Sequence, residues 1–111
     1  MKYYHNPKCS KSRLGKAALE EKGIEFSTKE YLKEGLTVEE IKQIKDHLGI
    51  PVTQFVRKKE AKDLGIDLKT VVEQDLIEKM AQNPILLERP ILDNGKIARI
   101  GRPTEDLFEV L

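Results

Sequence analysis

Apolar residues fall at strand period near both ends of the chain and at helical spacing through its middle. Lys2 to Tyr4 reads as a first strand, and Leu14, Ala17 and Ala18 line one face of a helix predicted from about Ser12 to Lys22, with Gly23 as its left-handed cap. Ile24 to Tyr31 then alternates apolar and polar residues, which predicts a second strand. Strand, helix, strand in this order makes a right-handed βαβ unit with parallel strands.

Leu36 to Ile41 carries a strong helix start. Thr37 and Glu40 form a capping box, and Leu36 and Ile41 a hydrophobic staple, ahead of Ile41, Ile44 and Leu48 on one face. Gly49 ends that helix, and Pro51 opens a short one burying Val52, Phe55 and Val56. A further turn is expected from Lys58 to Leu64, ending at Gly65. Another helix, starting between Thr70 and Glu73, carries Leu76, Ile77, Met80 and Ala81, and Asn83-Pro84 stops it. Pro90 to Asp93 and Lys96 to Ile100 flank Asn94-Gly95, the dipeptide suited to a two-residue type I′ hairpin. Pro103 fits the first position of a closing helix with Leu107, Phe108 and Leu111 toward the core. The element order resembles a thioredoxin-like α/β domain: a four-stranded mixed sheet with a helical insertion, residues 34–84, between βαβ and ββα units.

Length and composition narrow the class. The 111 residues suit one domain, spanning 1–111, and charged residues at 35% with a net charge of +1 provide no basic field for nucleic acid. No apolar run approaches the roughly 18 residues of a membrane span, and no signal-peptide core is present, so no membrane partner and a cytoplasmic location are expected. A monomer is expected. A single cysteine excludes an internal disulfide and a cysteine-rich zinc site within the chain; no metal site is expected, and any redox cycle must take a second thiol from outside.

That cysteine is the candidate centre. The stretch His5-Asn6-Pro7-Lys8-Cys9-Ser10-Lys11-Ser12-Arg13 places Cys9 between a strand and a helix N-terminus, where free backbone N–H groups and the helix dipole favour a thiolate or a bound oxyanion. A lone cysteine is often inert packing, but core cysteines have apolar neighbours, whereas Cys9 is flanked by lysine and serine. His5 is placed to tune the thiol or to order the loop; His47, in a charged helix, reads as surface. Arg57, Arg89 and Arg102 stand at element boundaries, where planar guanidinium forks could grip a tetrahedral oxyanion. Each alone also fits an ordinary surface arginine, and Arg57, in Arg-Lys-Lys, most of all.

YHNPKCSKSR resembles the active-site loop of the glutaredoxin-dependent arsenate reductase family and of its relatives, the Spx-like transcription regulators. The likeness continues through FVRKKE, NPILLERPIL and ARIGRP. It implies Cys9 as nucleophile, His5 as its assistant, and Arg57, Arg89 and Arg102 as the oxyanion-binding arginines. Asn6, Ser10, Lys11, Ser12, Arg13 and Pro90 are then the supporting loop, with a cis Arg89–Pro90 bond facing the cysteine. The implied reaction is attack of Cys9 on arsenate, then glutathione as co-substrate and glutaredoxin as resolving partner. The loop reads Cys-Ser-Lys-Ser-Arg, where the best-studied arsenate reductases carry glycine and threonine after the cysteine. Alternatives are a thiol-dependent reductase of the same family with another substrate, and a redox-linked regulator binding RNA polymerase. An intramolecular Cys-x-x-Cys switch is impossible with Ser12 at its second position.

Overall fold

The computed structural model describes all 111 residues. Strands β1 (Lys2–Tyr4), β2 (Ser27–Lys29), β3 (Ile91–Asp93) and β4 (Ala98–Ile100) form one mixed sheet in the order β2-β1-β3-β4. β1 runs parallel to β2 and antiparallel to β3, which pairs antiparallel with β4. This is the expected thioredoxin-like α/β arrangement.

The period of two along β1 divides the interior. Tyr3 points into a small core with Leu19, Leu92, Leu107 and Val110, and Tyr4 into a larger one with Tyr31, Ile41, Ile44, Leu76, Met80 and Ile91. The register agrees, since Tyr3 faces Leu92 and Tyr4 faces Ile91 across the ladder. Helix α1 (Ser10–Glu21) and the closing 3₁₀ turn Thr104–Val110 cover the first face. The second is covered by the insertion: α2 (Tyr31–Glu34), α3 (Val38–Leu48), α4 (Lys58–Asp63) and α5 (Glu73–Gln82).

The insertion follows its sequence signals closely. The Thr37–Glu40 capping box is made in both directions, Gly49 closes α3 with φ +70°, and Val52, Phe55 and Val56 are buried around a single 3₁₀ turn. Elsewhere the structure corrects the expectations. The buried side of α1 is Ser12, Gly15 and Leu19, while Leu14 is 56% exposed. Hydrophobicity pointed to the wrong face because the first half of α1 lies so close to Tyr3 and Leu107 that only small residues fit there, at Ser12 and Gly15. The second strand is shorter than predicted; Ser27 and Thr28 are exposed on an edge strand, and Tyr31 starts a helix instead of ending a strand. The hairpin loop spans four residues, Asn94 to Ile97, and is not type I′, since that turn needs positive φ at both central residues and only Gly95 has it. The Asn94 side chain instead accepts from the Lys96 and Ile97 N–H groups and donates to the Val110 carbonyl. In the closing turn Val110 is buried and Leu111 exposed. His47 is not a surface residue: it is half-buried, with Nδ1 2.7 Å from Asp93 Oδ2, tying α3 to β3. No helix is long and apolar enough to cross a membrane.

Gly15 provides a test of the α1 packing. Helix propensity alone favours Gly15→Ala by about 1 kcal/mol. A Cβ there would collide with the Tyr3 hydroxyl and lie 2.8 Å from Leu107 Cδ1. Overpacking of this kind costs about 1–3 kcal/mol, so Gly15→Ala should lower the thermal midpoint, measured by circular dichroism; a raised midpoint would disprove the close approach.

Candidate active site

β1 ends into a loop that delivers Cys9 to the N-cap of α1 in an extended conformation, φ −94° and ψ 124°. The loop is knotted on Asn6, whose carbonyl accepts from Cys9 N–H (3.0 Å) and whose side-chain oxygen accepts from Lys8 N–H (3.0 Å). Arg13 Nη1 donates to the Pro7 carbonyl at 2.8 Å, so Arg13 braces the loop and does not point at the sulfur. The centre of the arrangement is Ser12, fully buried in the first turn of α1. Its carbonyl accepts from the Tyr3 hydroxyl (2.7 Å), its Oγ accepts from Asn6 N–H (2.9 Å), and the same Oγ lies 2.7 Å from His5 Nδ1. Burial, with the nearby Lys16, holds the His5 pKa below its ordinary value, so we assign a neutral imidazole accepting the Ser12 hydroxyl proton. His5 therefore acts on the cysteine loop through Ser12.

The thiol is half-buried. Burial pushes its pKa up, but N–H groups of Ser12 and Lys11 at the start of α1, together with the Arg89 guanidinium, outweigh burial and bring the pKa below its ordinary value. Lys11 thus contributes through its backbone, while the side chains of Lys8, Ser10 and Lys11 are exposed. Two guanidiniums bear on the sulfur. Arg102 Nη2 lies 3.7 Å from Cys9 Sγ, and the charge of Arg89 helps lower the thiol pKa. We assign the larger effect to Arg89, whose side chain is 17% exposed against 35% for Arg102 and is less screened by water.

The arginines come together as their Arg-Pro contexts suggested. Arg89–Pro90 and Arg102–Pro103 are both cis, Arg102 Nε donates to the Arg89 carbonyl (2.7 Å), and Gly101 N–H donates to the Pro90 carbonyl (2.8 Å). Pro90 is buried against Gly101 and near Gly15. Arg57 arrives on a neighbouring segment, since an isolated antiparallel bridge pairs Val56 with Leu87 and Arg57 N–H donates to the Leu86 carbonyl at 2.7 Å. Each guanidinium faces a carboxylate: Arg57 Nη2 is 2.8 Å from Glu60, Arg89 Nη1 3.0 Å from Glu88, and Arg102 Nε 3.5 Å from the same Glu88 oxygen. Glu60 and Glu88 were not singled out in the sequence. Their signals were the i, i+3 spacing in RKKE and the Glu-Arg-Pro triplet.

A helix-N-terminal thiol with a lowered pKa beside clustered guanidiniums has the composition of a nucleophile next to an anion site. Comparisons with known proteins place the chain in a family. The sequence model of the ArsC family matches residues 4–110. This chain belongs to the ArsC family. It is 41% identical over 111 residues to a Haemophilus influenzae protein named arsenate reductase, covering 97% of this chain and 96% of that one. It is also 39% identical over 115 residues to YfgD of Escherichia coli, an uncharacterized protein, covering 100% and 96% of the two chains. The solved structure of an arsenate reductase from Vibrio cholerae superposes with a TM-score of 0.86 at 39% identity, over 100% of this chain and 98% of that one. The likeness to this family spans the cysteine loop and all three arginine segments.

The pKa of Cys9 is measurable through the pH dependence of its alkylation by iodoacetamide. The midpoint should lie below the roughly 8.5 of an unperturbed thiol. Arg89→Gln should raise that midpoint more than Arg102→Gln does; the reverse order would make Arg102 the principal cation.

Proposed function

We propose that this ArsC-family protein reduces arsenate to arsenite, with Cys9 as the nucleophile and Arg57, Arg89 and Arg102 as the oxyanion clamp. The observation that carries the reading is the Arg102 guanidinium 3.7 Å from the Cys9 sulfur at the start of α1, with Arg102 Nε tied to the Arg89 carbonyl at 2.7 Å. Similarity to proteins named arsenate reductase supports arsenate among the possible oxyanions. The Cys9 thiolate attacks arsenic, an arsenate oxygen leaves as water, and arsenic is held as a thioester-like adduct. Glutathione then attacks and glutaredoxin resolves the adduct. Over the cycle two external thiols become a disulfide, As(V) becomes As(III), and Cys9 is returned as a thiol. The single cysteine supports this order, because the chain has no internal thiol with which to form the disulfide. A cleft of about 500 Å³ lined by Leu48, Ile50, Glu88, Ile100 and Arg102 adjoins the site and gives the second thiol an approach.

Guanidinium geometry is central to the clamp, since a planar fork binds two oxyanion acceptors at once and lysine cannot. Arg89→Lys, which keeps the charge, should therefore lower kcat/KM for arsenate by about tenfold to a hundredfold, equivalent to about 1.5–3 kcal/mol of charged hydrogen bonding. Phosphate or sulfate should compete with arsenate in the parent protein and less in the variant. The assay couples arsenate, glutathione and glutaredoxin to disulfide formation. No turnover with arsenate, alongside rapid alkylation of Cys9, would assign the fold to a thiol-dependent reductase with another substrate. Unchanged activity in both Arg89→Lys and Arg102→Lys would remove the clamp.

A further inference from the structure

Two buried side-chain polar atoms have no hydrogen-bond partner, the Tyr31 hydroxyl and Arg89 Nε. One can accept and donate; the other can only donate. A buried orphan carries the desolvation of a polar group with nothing in return, so a pair of complementary orphans in one region needs a physical reason. Tyr31 is 0% exposed and packs in the larger core with Val56, Leu86 and Leu87, the residues around the bridge that carries Arg57 and Arg89. Burial is the strongest influence on its hydroxyl, followed by the charges of Arg89 and Arg57 and then by Cys9 and Glu88. With its pKa pushed up to about 12, the phenol stays protonated at any pH where the enzyme works. A phenylalanine would fill the same volume without the orphan, so packing alone does not account for the hydroxyl.

In this structure Arg89 Nη1 is directed to Glu88 at 3.0 Å, which leaves Nε without an acceptor. We infer that Tyr31 is the positioning residue for Arg89. When an oxyanion takes the place of Glu88 on the guanidinium, Arg89 turns so that Nε–H donates to the Tyr31 oxygen, and its two terminal nitrogens form the fork that holds the ligand. The buried ring fixes the oxygen in place, so the fork is aimed by the core and not by a flexible surface group. The inference rests on the oxyanion reading above and adds to it the residue that sets the clamp's geometry.

The test uses anion protection of Cys9 and needs no turnover. Inorganic phosphate should slow alkylation of Cys9 by iodoacetamide in the parent, giving a protection midpoint. Tyr31→Phe should raise that midpoint about threefold to tenfold, the span of one net hydrogen bond, with the thermal midpoint unchanged or slightly raised. In an Arg89→Lys background the same Tyr31→Phe change should have no further effect, because lysine has no Nε to be positioned. An unchanged phosphate midpoint in Tyr31→Phe overturns the inference and leaves the oxyanion reading standing. An equal effect with and without Arg89 also overturns it, since Tyr31 would then act independently. No phosphate protection in the parent overturns both readings. Should Tyr31→Phe fold poorly, ¹⁵N NMR of the parent decides. The Arg89 Nε–H signal should shift and become protected from exchange as phosphate is added, and a signal that stays unmoved and fast-exchanging rejects the inference.

Discussion

One buried serine holds the cysteine loop in register with the sheet. Ser12 connects to Tyr3, His5 and Asn6 through three hydrogen bonds between 2.7 and 2.9 Å, and it does so from the first turn of the helix that Cys9 caps. Each such bond is worth about 1 kcal/mol net, but losing one leaves a buried donor or acceptor unmet at about 1–3 kcal/mol. That range brackets the roughly 1.4 kcal/mol that one unit of thiol pKa represents, and three such bonds together surpass it. Holding the loop is therefore energetically at least as demanding as activating the sulfur, and both tasks fall to the same residues. The N–H groups of Lys11 and Ser12 can stabilise a thiolate because the Ser12 side chain keeps the first turn of α1 against the end of β1.

The arginines are governed by a second constraint, that cations brought together must be neutralised when no anion is bound. Arg89 and Arg102 share Glu88, while Arg57 has Glu60. Partly exposed ion pairs of this kind contribute about 0–1 kcal/mol each, since water screens them and the side chains lose freedom on pairing. Their weakness suits a binding site. In the proposed clamp, a tetrahedral oxyanion with two negative charges offers more acceptors in a smaller space than a glutamate and would displace Glu88 at small cost. A deeper and drier pair would hold the guanidiniums more tightly and resist the exchange.

Much of this was legible in the sequence, for identifiable reasons. The capping box at Thr37, the stop at Gly49 and the apolar spacing from Ile41 to Met80 are local signals that tertiary packing did not override. Cys9 and the paired Arg-Pro contexts were legible because chemistry and chain direction coincide there. The errors lie where contact distance, not hydrophobicity, decides the outcome. α1 turns Ser12 and Gly15 inward because a larger side chain cannot fit over Tyr3, and no periodicity of apolar residues records that. His47 and Asp93 meet across 46 positions of sequence, and the role of Ser12 depends on three partners upstream in the fold. Tyr31 looked like the end of a strand because alternation continues through it, whereas in three dimensions it starts α2 and is buried in the larger core with Val56 and Leu87.

The two halves of the site are mounted on different cores. The cysteine loop rests on the Tyr3, Leu19, Leu92 and Leu107 side of the sheet, and the bridge bearing Arg57 and leading to Arg89 rests on the Tyr31, Val56 and Leu87 side. What joins them is the β1–β3 ladder, where Tyr4 faces Ile91, two residues after Arg89 and five before Cys9. The distance from sulfur to guanidinium is thus set by backbone hydrogen bonds at the centre of the sheet, among the least mobile contacts a small domain has. A loosened helix in the insertion would disturb the aim of the clamp before it disturbed the thiol, while a loosened α1 would do the reverse. Nucleophile and anion site are in this sense separable parts, and the same cysteine mount could serve different substrates as the arginine side of the sheet is altered.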